Sequence, residues 1–143
     1  MRESRVSGST PRAPRVRRVA NRADAEVLYD RVLEAIGVRS DIAERRMFGA
    51  RAIIVDGKLC CSVKGRRIMV RIDPELHVAS LKKPGVRPLT MNGHTYPGWL
   101  IVRDAVSLTK RQLGHWIGLA LEYNPRAPAS KRRSRARRKR PLF

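Results

Sequence analysis

An apolar stretch at residues 47–55 runs into Asp56-Gly57-Lys58 and is answered at once by a second stretch, 58–64. This pairing restricts the chain more than any other feature. Asp-Gly is a strong hairpin signal because a tight two-residue turn needs positive φ at both central positions. A further turn at Lys64-Gly65-Arg66 leads into 67–72, where Ile68, Val70 and Ile72 alternate with Arg67, Met69 and Arg71. The sequence predicts three strands in a meander, with the first strand spanning 47–55.

Other elements frame the meander. Ala25, Leu28, Tyr29, Val32, Leu33 and Ile36 fall on one face at helical spacing, predicting a helix over 23–36 that Gly37 stops. A short polar link joins it to the first strand. Asp73-Pro74 has the pattern of a capping residue followed by a first-turn proline, and the helix it opens runs to about Leu81. Strands at 87–91 and 94–102 flank the Asn92-Gly93 turn, and Pro97-Gly98 marks a bulge or an edge. Thr109 caps a last helix whose apolar face is Leu113, Trp116, Ile117, Ala120 and Leu121. The predicted fold is α+β: two layers in the order α-β3-α-β2-α, with a mainly antiparallel five-stranded sheet and helices on one face.

Alternation assigns Phe48, Ala50, Ile54, Leu59, Cys61, Val63, Ile68, Val70 and Ile72 to the helix side. Arg51, Ile53, Cys60, Met69 and Arg71 then make an opposite face that is partly apolar and partly basic. Such a face is a candidate interface, either for a homodimer or for a protein partner.

The charge is concentrated at the ends. Of a net +20, residues 1–22 carry +6 and residues 125–143 carry +9, leaving +5 for 23–124. The division predicted is a disordered basic arm (1–22), one domain (23–124) and a disordered Lys/Arg-rich tail (125–143). Lys131, Arg132, Arg133, Arg135, Arg137, Arg138, Lys139 and Arg140 form a run without an acid, suited to phosphates. Arg15, Arg17 and Arg18 supply a second contact. Tail aromatics are lacking before Phe143, so backbone contact is favoured over base readout.

Catalytic and metal chemistry find no support in the pattern. Cys60 and Cys61 are adjacent, so on a regular strand they point to opposite faces, Cys61 buried and Cys60 exposed and oxidisable. No metal-ligand spacing links them to His77, His94 or His115, and those histidines lack a partner for acid–base work. Met47, Met69 and Met91, one per strand, are read as core or interface packing. No metal or cofactor is expected. No apolar run is long enough to span a membrane, and the start lacks a secretory apolar segment. The Arg-rich start has the composition of a transit peptide, but Pro11 and Pro14 break the helix such a peptide needs. The reading is cytoplasmic, bacterial, and nucleoid- or RNA-associated.

In combination, Arg46-Met47-Phe48-Gly49, the Val55-Asp56-Gly57-Lys58-Leu59-Cys60-Cys61 turn, Met69-Val70-Arg71-Ile72, Pro88-Leu89-Thr90-Met91 and Gly98-Trp99 resemble the N-terminal domain of the TfoX/Sxy family over about 24–124. The resemblance implies an α-β3-α-β2-α order with an antiparallel sheet, as the periodicities predict independently. It also implies kinship with co-regulators of transcription that govern competence for DNA uptake beside a cyclic-AMP receptor protein. Two features depart from the family. Ala50 stands where a second glycine is usual, and a basic tail stands in place of the C-terminal helical domain.

These observations point to a non-enzymatic, nucleic-acid-associated protein of transcription or competence co-regulator type, holding DNA or RNA by its phosphates through the basic ends. The alternative is a protein-interaction module with solubilising tails. An enzyme with an unrecognised site ranks third.

Overall fold

A computed structural model describes residues 15–128, with side chains from residue 22 onward. The elements are α1 (Arg15–Ile36), β1 (Ile42–Met47), β2 (Ala50–Val55), β3 (Lys58–Lys64), β4 (Arg67–Arg71), α2 (His77–Leu81), β5 (Val86–Met91), β6 (His94–Val102) and α3 (Lys110–Tyr123). Short 3-10 turns at Pro74–Leu76, Ala105–Ser107 and Asn124–Arg126 join them. The sheet has six strands in the order β1-β2-β3-β4-β6-β5, every neighbouring pair antiparallel.

The sixth strand corrects the expected five. The stretch 47–55 is not one strand: it breaks at Phe48-Gly49, where both residues take positive φ (51° and 78°), and the chain before the break pairs back as β1. β1 was hidden because its central residues, Glu44, Arg45 and Arg46, are charged and exposed. Charge on an edge strand deters pairing with another chain but erases the apolar alternation that marks a strand.

The helix α1 begins at Arg15, not at 23, so residues 15–22, expected in the disordered arm, have helical backbone. Arg and Ala propagate a helix well once its apolar part is packed, whether or not they bury anything themselves. Residues 1–14 and 129–143 lie outside the described residues.

The core lies between the sheet and the helices. Leu28, Tyr29, Val32 and Ile36 of α1 and Leu113, Trp116, Ile117 and Ala120 of α3 close over Ile53, Val55, Cys61, Val63, Ile68, Val70, Leu100 and Val102. Polar ties fix the layers in place. Arg31 donates to the carbonyls of Val106 and Leu108 at 3.2 and 2.7 Å, joining α1 to the approach of α3. Arg66 pairs with Asp24 at 2.6 Å and Asp104 at 2.7 Å, linking α1, the β3–β4 turn and the end of β6. Lys58 of the Asp56-Gly57 hairpin donates to the carbonyls of Asn124 and Pro125, anchoring the end of α3.

The capping residues act as the sequence predicts. Asp73 accepts from the Glu75 amide at 2.9 Å. Thr109 and Gln112 form a reciprocal capping box. The β5–β6 register slips between Pro88 and Thr90, placing the expected irregularity opposite Pro97-Gly98.

Candidate functional site

The strand register decides which residues share a face. Ile53 lies opposite Cys61, Cys61 opposite Val70, and Val70 opposite Leu100, and this row is buried under the helices. The row through Arg45, Ala52, Ser62, Met69 and Ile101 therefore looks the other way. Next to it lie Met47, Ala50, Lys64 and Arg67 towards one end, and Leu59, Ile54, Arg71 and Trp99 towards the other.

Together these residues line a groove of about 460 Å3 on the face away from the helices. All of its lining side chains come from strands and turns. The floor is deep enough to leave Ala52 only 1% exposed and Ile54 9% exposed without any helix above them.

The lining is apolar with a one-signed rim. Arg45, Lys64, Arg67 and Arg71 are its charged residues, and among the described residues no carboxylate lines it. Among the described residues none of the four takes part in an ion pair. Arg71 lies over the Trp99 ring at 4.8 Å and donates to the carbonyl of Pro128 at 3.2 Å. Burial pulls its guanidinium below the ordinary arginine value, opposed by Tyr123. Lys64 donates to the carbonyl of Phe48 at 3.1 Å. Phe48 itself is 83% exposed, with positive φ, an unusual conformation for a bulky aromatic residue.

Of the face expected from sequence, Met69 and Arg71 line the groove. Arg51, Ile53 and Cys60 are on the opposite side. The guanidinium of Arg51 lies 3.6 Å over the Tyr29 ring and pairs with Glu44 at 2.9 Å, and Ile53 is in the core. The run Ala52-Ile53-Ile54-Val55 is apolar at both parities, so it carries no phase of its own. Phe48, Ala50, Ile54 and Leu59, expected under the helices, sit instead at or in the groove.

The register shift at Ile53 and Ile54 sets two β3 residues, Cys60 and Cys61, against one partner residue. A bulge breaks strict alternation. Both cysteines are 1% exposed in the core, which corrects the expectation of an exposed Cys60. The hydrogen bond from Cys61 to Cys60, then burial, push the Cys61 thiol well above its usual range.

The histidines do not converge. His77 Nδ1 accepts from the Gly98 amide at 3.0 Å, and His115 lies 3.4 Å from Lys83 Nζ, with its pKa lowered first by burial and then by that lysine. His94 is at the exposed β5–β6 turn. Among the described residues no group of three His, Cys, Asp or Glu side chains is placed to hold a metal, and no helix is long and apolar enough to cross a membrane.

Lys131, Arg132, Arg133, Arg135, Arg137, Arg138, Lys139 and Arg140 lie outside the described residues. Arg15, Arg17 and Arg18 are on the first turns of α1, where only backbone is described.

The fold and face define an α+β domain whose antiparallel sheet is covered on one side and open on the other. The family model described as the TfoX N-terminal domain matches residues 34–123, and the chain belongs to that family. Among solved structures, a protein from Pseudomonas syringae determined by the Northeast Structural Genomics Consortium is similar at 15% identity and a TM-score of 0.49, covering 66% of this chain and 97% of its own. No curated protein matches the chain.

Proposed function

We propose that this TfoX-type protein is a non-enzymatic regulator that holds DNA or RNA by its phosphates through its basic ends, in the manner of a transcription or competence co-regulator. One observation carries the reading: +15 of the +20 net charge lies in residues 1–22 and 125–143. Family membership supports a regulatory or competence-type role. Within the folded part, Asp24, Asp41, Glu44, Asp73 and Asp104 are each paired with an arginine. These five carboxylates are thus engaged within the fold, while the run at 131–140 carries no acid to neutralise it.

The test is a fluorescence titration of labelled duplex DNA and of RNA with the full chain. Its comparison is the full chain with all eight Lys and Arg of 131–140 replaced by Gln. Engaging roughly six to ten phosphates costs about 10³ to 10⁵ in affinity between about 50 and 200 mM salt. Equal affinity of the two proteins, or binding indifferent to salt, sinks the proposal.

A second reading, a protein-interaction module with solubilising tails, draws on the open face and exposed Phe48. Capture of one acidic protein that survives nuclease treatment and is lost on Phe48→Ser favours it over the first.

A further inference from the structure

The groove on the open face has two chemically distinct parts. Its apolar lining carries Met47, Met69, Met91 and Trp99, and thioethers repack readily around differing shapes. Its volume, about 460 Å3, is in the range of small-molecule sites. Its charged residues, among the described residues, are all cationic.

At one end Lys64 and Arg67 are direct cross-strand partners. Like charges opposite one another weaken a sheet, and an anion between them removes the cost. Phe48 stands exposed beside them, held through its carbonyl by Lys64. From Arg67 to Arg71 is roughly 13 Å along the strand at about 3.3 Å per residue, the span of a medium-length acyl chain.

Charge decides among occupants. A second copy docked by this face sets two cationic rims against each other in an isologous contact, and such juxtaposition is repulsive. The chain's own C-terminal segment leaves Pro128 beside Arg71 but carries eight more cations at 131–140. It meets the same repulsion. An apolar body with one anionic head satisfies both parts of the groove.

We propose that this groove binds an amphipathic organic anion of the acyl-carboxylate type, with its head on Lys64 and Arg67 and its chain along Met69 towards Trp99. The site is independent of the nucleic-acid reading, because it uses no residue of the tails.

The test titrates decanoate, below its micellar range, into the full chain and follows tryptophan emission. Trp99 reports the groove, while Trp116 is 4% exposed in the core. The expected result is a saturable change, weakened about tenfold or more by Met69→Glu and several-fold by Arg67→Gln. Replacing the eight cations of 131–140 by Gln leaves it unchanged, and decyltrimethylammonium gives no saturable change. Arg67 is exposed, so Arg67→Gln keeps the test decisive even where Met69→Glu fails to fold. The proposal is overturned by any of four outcomes. These are absence of saturation, equal response to the cationic probe, loss of binding in the tail variant, and sedimentation showing a dimer that Arg67→Gln leaves intact and that decanoate does not compete with.

Discussion

The amide of Gly98 donates to Nδ1 of His77 at 3.0 Å, and the Gly98 carbonyl accepts from the amide of Ile72 at 2.7 Å. These two bonds tie the bulged part of β6 to the segment between β4 and α2. Only glycine fits here: its φ is +88°, and a β-carbon would lie 2.4 Å from the Ile72 carbonyl oxygen. The Gly98-Trp99 motif is therefore a packing requirement, and it also sets Trp99 on the groove. Gly98→Ala is expected to cost roughly 2–4 kcal/mol, from left-handed strain plus a backbone clash. Urea unfolding measures it, and a cost under about 1 kcal/mol contradicts the geometry.

Asn124 ties the end of α3 to the β2–β3 hairpin. Its Nδ2 donates to the buried carbonyl of Val55 at 2.9 Å, while its Oδ1 is buried without a partner among the described residues. Asn124→Ala takes the Nδ2 donor from the Val55 carbonyl but also removes the unsatisfied Oδ1, so its expected cost is about 1–2 kcal/mol. Asn124→Asp keeps the shape but loses the donor and sets a carboxylate against the Val55 carbonyl. That variant is expected to lose about 3 kcal/mol at neutral pH. The order of the two in chemical denaturation is the check, and a more stable Asp variant refutes it.

The contrast between these residues and the groove shows what the sequence makes legible. Asp56-Gly57, Asn92-Gly93, Asp73 and Thr109 act through chemistry within a few residues, and each stands where local rules put it. The stripe from Leu28 to Ile36 is equally local and equally plain. β1 is not, because only its partner β2 makes a strand of the charged residues Glu44 to Arg46. Nor is the phase of β2, where Ala52, Ile53, Ile54 and Val55 are all buried and apolar on both faces. Register and the bulge at Cys60 settle it, and both belong to pairs of strands. The groove gathers side chains from all six strands, so it became visible only once the strand order was known. The one local signal of the break is Gly49, a glycine inside what otherwise reads as a continuous strand.

The bulge has a chemical consequence for the cysteines. With both thiols in the core, neither is expected to react with Ellman's reagent in the native chain, and both are expected to react once denaturant unfolds it. A regular strand instead leaves Cys60 open to fast, stoichiometric labelling. Rapid native reaction of one thiol, abolished by Cys60→Ser, therefore argues against the bulge. Cys61→Ser is expected to destabilise the chain by about 1–2 kcal/mol, through a hydroxyl placed among Ile53, Val70 and their neighbours.

Acid sensitivity follows from the paired carboxylates. The amide of Glu75 first, and the Arg126 guanidinium second, hold the Asp73 carboxyl below its ordinary range. Arg66 and then Ser107 do the same for Asp104. A carboxyl whose folded value is depressed binds fewer protons in the native state than in the unfolded chain. Its stabilisation is complete above the unfolded value, about 4, and is lost as the pH falls through the folded one. The carboxylates' share of the stability is thus expected to be level from about pH 7 to 5 and to fall below that, while His115, held below its ordinary value by burial and Lys83, adds a shallower fall that begins below about pH 6.5. Self-repulsion of a chain carrying +20 adds to the same fall, so the informative quantity is a difference between two proteins. Asp73→Asn retains a side-chain oxygen for the Glu75 amide but not the charge facing Arg126. It is expected to melt lower than the parent at neutral pH, with the gap closing as the solution is acidified below about pH 4. Thermal melts of the two proteins across that range decide the matter: curves that stay parallel down to about pH 2 remove Asp73 from the account of acid stability.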